Sequence, residues 1–158
     1  MPPDTKNDPT EIEARPGTYA LLFSSETNAV IRVGRLGNLR LQPGFYVYVG
    51  SALGLGGVRA RLAHHLRPAE HPHWHIDYLK AHTTIEQVWF CYGRTRQEHL
   101  WARRCAKMLG ASEPMAGFGS SDCDCKTHLS YFKDCSAKRL SSMAMRLGST
   151  VAALCSLP

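Results

Sequence analysis

Arg61 and His65 stand four residues apart in the stretch Val58–Leu66, so on a helix both project from one flank. Val58, Leu62 and Leu66 recur at helical spacing and supply the apolar side of that helix. Just upstream, Phe45-Tyr46-Val47-Tyr48-Val49 has the aromatic and β-branched composition of a strand. A glycine run, Gly50, Gly54, Gly56 and Gly57, then breaks it and permits tight turns or close approach to the backbone. A tyrosine ending a strand, a glycine turn and an Arg/His pair on the next helix make a place to hold a phosphate. The plainer alternative is a β-turn-α unit with a solvated basic face.

Two further groupings could do chemistry. In Arg96–Leu109 the residues Trp101, Ala102, Cys105 and Leu109 form one apolar stripe, and Glu98 heads it. A carboxylate at the edge of a buried face is costly unless it is paired or binds a cation. Its alternative role is that of a first-turn acid favoured by the helix dipole. In Gly117–Leu129, Cys123, Cys125 and His128 bring three metal-ligating side chains together, and His73 or His75 could complete a tetrahedral zinc set. The spacing is not that of a standard finger or ribbon. Two other readings stand beside zinc, a loop fixed by its own hydrogen bonds and a substrate-contacting loop.

The elements that must position these residues follow from pattern. Strands are expected over Tyr19–Phe23, Ala29–Val33 and Phe45–Val49, with a short piece around Leu39–Leu41 and another strand over Ile85–Tyr92. Turn-forming residues at Ser24–Asn28 and Pro43-Gly44 separate them, and connections this short favour antiparallel hairpins. Helices are expected over Val58–Leu66, Trp74–Ala81 and Arg96–Leu109. The fold class is α/β of the α+β type, with a small, mostly antiparallel central sheet flanked by helices. Residues 1–15, polar and proline-bearing, read as a disordered lead-in. Residues 133–158 read as a tail with no assigned role.

The chain has 158 residues, 44% of them hydrophobic, which fits one soluble globular domain with a core of its own. Its formal net charge of +6 favours polyanions such as nucleic acid. No apolar run approaches the roughly 20 residues of a membrane span, and the start lacks the charged-then-apolar layout of a secretion leader. Six unevenly spaced cysteines in a chain that needs no staples suggest a reducing, cytoplasmic setting with free thiols or a metal site.

Gly17-Thr18-Tyr19 and Tyr48-Val49-Gly50, with Arg61 and His65 behind them, resemble the paired tripeptides of the GIY-YIG nuclease family. Gly117-Phe118-Gly119-Ser120-Ser121-Asp122-Cys123, followed by His128-Leu129 and joined with His73-Trp74-His75-Ile76-Asp77, looks like a small stand-alone branch of that family. The resemblance covers residues 16–132 and implies a GIY-YIG-like fold and a metal-dependent endonuclease hydrolysing nucleic-acid phosphodiesters, DNA first. It implies Tyr19, Tyr48, Arg61, His65 and Glu98 as catalytic residues. Tyr19 and Tyr48 would position or deprotonate water, and Arg61 would face the transition-state charge. His65 would assist proton transfer, and Glu98 would hold Mg²⁺ or a similar cation. Substrate contacts would come from Gly50, Ser51, Arg59, His75, Ser121, Asp122 and His128, with Arg59 the rival to Arg61 because extra glycines lengthen the turn. Two other functions stay open, a non-catalytic nucleic-acid-binding module and a zinc or thiol protein built on Cys123, Cys125 and His128.

Overall fold

The computed structural model describes residues 11–121 and 123–153. Its elements are β1 (Gly17–Ser25), β2 (Ala29–Val33), β3 (Gly37–Leu41), β4 (Gly44–Ala52), α1 (Gly57–Leu66), α2 (His75–Lys80), β5 (Thr84–Tyr92), α3 (Glu98–Lys107), β6 (Ala111–Ser112), β7 (Leu129–Phe132), α4 (Ala137–Arg146) and β8 (Thr150–Ala153). Six strands form one sheet in the order β6-β7-β4-β1-β5-β8, every neighbouring pair antiparallel. Strands β2 and β3 form a separate hairpin.

β1 is apolar at almost every position because both of its faces are covered. Tyr19, Leu21 and Phe23 pack with Ile31, Val33, Leu39 and Leu41 of the hairpin and with Val58, Leu62, Ile76 and Leu79 of α1 and α2. Ala20 and Leu22 face the other way, against Val47, Val49 and Trp89 of the sheet, Trp101, Ala102 and Cys105 of α3, and Leu140 and Ala144 of α4. The result is the mixed α/β arrangement expected, a central antiparallel sheet with helices on both sides.

Three expectations need correction. Residues 11–15 are no loose lead-in: Arg15 O accepts from Val58 N at 2.8 Å and Glu13 O from Arg59 N at 3.2 Å. Those carbonyls, with Gly54 O and Gly56 O taking the N–H groups of Gly57 and Ala60, satisfy the otherwise orphaned donors of α1. Residues 1–10, the rest of the expected lead-in, lie outside the described residues. Of the residues read as a tail, 137–146 and 150–153 are part of the fold, since α4 covers one sheet face and β8 pairs with β5, while 154–158 lie outside the described residues. Finally, α3 ends at Lys107, and Leu109, expected on its buried stripe, is 80% exposed beyond it.

Candidate functional site

The antiparallel register of β1 and β4 sets Tyr19 opposite Gly50. A β-carbon at residue 50 would collide with the Tyr19 phenol, so glycine there lets the ring lie across β4. The Tyr19 hydroxyl reaches His65 Nε2 of α1 at 2.7 Å, with both residues buried. Tyr48, two residues before Gly50, lies with its ring centroid 6.5 Å from that of Tyr19 and packs edge-on to Phe118 at 6.0 Å. Gly119 at φ +68 carries the loop past Tyr48, where a side chain would strike the ring.

Burial sets the protonation of this group. It drives the Tyr19 hydroxyl well above its ordinary pKa of 10, with Tyr48 adding to the effect, and pushes Tyr48 up to about 12. Burial also lowers His65 to about 3, helped by the nearby Lys80, His64 and Arg61 charges. At neutral pH the phenols are therefore donors, and His65 is neutral. Tyr19 and His65 Nε2 share one hydrogen bond, and His65 Nδ1 is buried with no partner among the described residues.

Arg61 and Glu98 supply opposite charges to the same cleft. The Arg61 guanidinium lies over the Trp74 ring, 4.7 Å from its centroid. Trp74 is placed by Asp77, whose Oδ2 accepts from the N–H groups of His73 and Trp74, each at 2.9 Å. Burial opposes the Asp77 charge, but these bonds and Lys80 outweigh it and hold its pKa below the usual range. Glu98 begins α3, which Thr18 of β1 anchors by accepting from Gln97 N at 3.4 Å. The carboxylate is 8% exposed and lies 3.4 Å from Arg96 Nε and 3.7 Å from His99 Nε2.

The cleft encloses about 430 Å³ and is lined by Tyr19, Tyr48, Gly50, Ser51, Arg61, His73, Trp74, His75, Glu98, Gly119, Ser121 and His128. His65 stands behind Tyr19. Arg59 is outside the lining: its Nε donates to Ile12 O at 2.9 Å, on the side where the leading segment crosses α1. Asp122 lies outside the described residues. Glu86 is not in this cleft: its Oε1 accepts from Ser24 Oγ at the far end of β1.

Beside the cleft, His99, Cys123, Cys125 and His128 place one donor atom each within 4.8 Å of one another. His99 Nδ1 is 3.2 Å from Cys125 Sγ, and His128 Nε2 is 3.3 Å from Cys123 Sγ. His128 is fixed by backbone bonds on both sides, donating to Phe118 O at 2.8 Å and accepting from Val49 N at 3.1 Å. Burial holds its imidazole below the ordinary range and so in the neutral, ligating form. The fourth donor corrects the expectation for His73 and His75. His73 is exposed, and His75 Nδ1 accepts from Gly119 N at 2.9 Å. No local spacing ties residue 99 to 123–128; they meet because α3 and the loop pack against neighbouring strands. Cys91, Cys105, Cys123, Cys125 and Cys135 are all free thiols. No helix among the described residues is long and apolar enough to cross a membrane.

Comparison with known proteins corrects the family expectation. No curated protein and no solved structure matches the chain. The family that does match, over residues 18–149, is distinct from the GIY-YIG nucleases. The GIY-YIG-type phosphodiesterase identity, and the magnesium ion on Glu98 that it implied, rested on the resemblance of the two tripeptides and of the Gly117–Cys123 stretch with His128-Leu129, and fall with it. The chain belongs to the family described as domain of unknown function DUF123.

Proposed function

We propose that this is a zinc-binding module whose metal centre braces one wall of a cleft that holds nucleic-acid phosphate. The observation that carries the reading is the convergence of His99, Cys123, Cys125 and His128 within 4.8 Å. Two thiols and two imidazoles select zinc over hard cations, which want oxygen. A tetrahedral zinc with bonds of about 2.0–2.3 Å sets its donors roughly 3.3–3.8 Å apart, so the longest separation would close by about 1 Å. Four protein donors leave no open position, the pattern of a structural site. Glu98 stands behind His99, where a carboxylate would fix the ring's tautomer and orientation. When bound, the metal would cross-link the start of α3 to the loop before β7. That loop brings Gly119, Ser121 and His128 to the cleft.

The cleft's own residues support an anionic partner. Arg61 is its permanent cation, and Tyr19 and Tyr48 remain protonated donors. The net charge of +6 attracts a polyanion from a distance. Elemental analysis of purified protein should find about one zinc per chain, and Cys125→Ser should abolish it. Chelation should lower the melting temperature and weaken binding to a fluorescent DNA strand. Protein free of zinc that neither takes up the metal nor responds to chelator would overturn the metal centre.

A further inference from the structure

A second cavity opens beside the cleft and shares Arg61 and Trp74 with it. It holds about 250 Å³ and is lined also by Ala52, Leu55, His64 and Arg67. Three features of its wall point to one kind of ligand. Arg61 and Arg67 offer positive charge, and no carboxylate is among its lining residues. Its aromatic wall is layered: Arg61 covers Trp74, while His64 meets the same indole edge-on at 4.7 Å. Leu55, fully exposed at 105%, stands on the rim and packs against nothing.

The position of Leu55 is built in. Gly57 N donates to Gly54 O at 3.1 Å, closing a tight turn around it, and Gly56 and Gly57 hold φ values of +84 and +58. A β-carbon on Gly57 would strike the Arg15 carbonyl. The N–H groups at the start of α1 are already bonded to carbonyls, so side chains must hold any anion here. Cations without carboxylates, an Arg–indole stack and a raised apolar side chain suit a flat ring attached to a phosphate. The volume falls below the roughly 300 Å³ of sites for whole small molecules, which suits a single ring.

Resting on the nucleic-acid reading above, we propose that this cavity is a base-stacking subsite. The nucleotide adjoining the phosphate at Arg61 places its unpaired base between the Arg61–Trp74 stack and Leu55, with Arg67 taking the next phosphate. Guanidinium planes and aromatic rings are common stacking partners for unstacked bases. The partner is therefore a single strand or an unpaired end, since a base within a duplex is stacked on its neighbours.

The test uses zinc-loaded protein and fluorescence anisotropy with a labelled oligodeoxynucleotide, in which one abasic residue is moved position by position. The single strand should bind more tightly than the matching duplex, and one abasic position should weaken binding by about 5- to 150-fold, the range for losing one stacked base. Leu55→Ala removes a side chain with no neighbours and should leave folding intact. It should weaken binding to the intact strand and add little loss to the critical abasic strand. Tight, salt-sensitive binding without any critical position, or a Leu55→Ala loss independent of the base, would overturn the subsite while sparing the nucleic-acid reading. Absence of binding to any strand at low salt would overturn both. Equal affinity for anionic lipid vesicles, abolished by Leu55→Ala, would replace the base with a membrane surface.

Discussion

His65 shows how burial decides what a histidine can do. Its Nε2 is hydrogen-bonded to the Tyr19 hydroxyl, its Nδ1 has no partner among the described residues, and it is 1% exposed. The folded pKa of about 3 lies below the ordinary value of 6.5, so between those pH values the unfolded chain takes up a proton that the folded chain refuses. Stability linked to His65 is therefore complete above about pH 6.5 and is lost as pH falls toward 3, at about 1.4 kcal/mol per pH unit. An NMR titration of the ring should find it neutral through pH 4.5. A midpoint near pH 6 would mean that the ring is solvated and free to act as a base or a cation. The same residue shows where sequence stops. The four-residue spacing correctly puts Arg61 and His65 on one helix, but not that Arg61 faces the cleft while His65 is sealed behind Tyr19.

At the scale of elements, legibility followed burial. β2 shows its pattern because one face meets water: Val30 and Arg32 are exposed, while Ile31 and Val33 are buried. β7 has all four residues, Leu129–Phe132, buried, so no alternation announces it. α4 is a different miss. Leu140, Met143, Ala144 and Leu147 carry the helical stripe, but lysine, arginine and serine neighbours give the segment the composition of a tail. Ser141 ties α4 to β5 by donating to Gln87 Oε1 at 2.8 Å, and Trp89 Nε1 donates to the same oxygen at 3.0 Å. Leu140→Ala should therefore behave as a core truncation, lowering the unfolding free energy by about 2–5 kcal/mol in urea denaturation. A loss below about 0.5 kcal/mol, the usual size for a surface change, would return the segment to accessory status.

Across the whole molecule, the three chemical groupings of the sequence lie on adjoining walls. β1 and β4 bring Tyr19 and Tyr48 to the cleft, and α1 brings Arg61. α3 contributes Glu98 to the lining and His99 to the neighbouring donor cluster, while the loop before β7 contributes Ser121 to the former and Cys123 and Cys125 to the latter. His128 belongs to both, so metal uptake at the proposed zinc site would reach the cleft without a long path. The proposed partner makes a further demand on this arrangement. If nucleic-acid phosphates are held by Arg61 and Arg67, the logarithm of the binding constant should fall linearly with the logarithm of salt concentration. For a single strand, each neutralised phosphate contributes about 0.7 to that slope. Arg61→Ala should weaken binding across all sequences and reduce the slope by about one contact, whereas Arg59→Ala should change the slope less, because its Nε is bonded to Ile12 outside the cleft. Anisotropy titrations between 50 and roughly 200 mM salt cover the needed range. Equal slopes for the parent and Arg61→Ala would remove Arg61 from the interface and move the nucleic-acid surface away from the cleft.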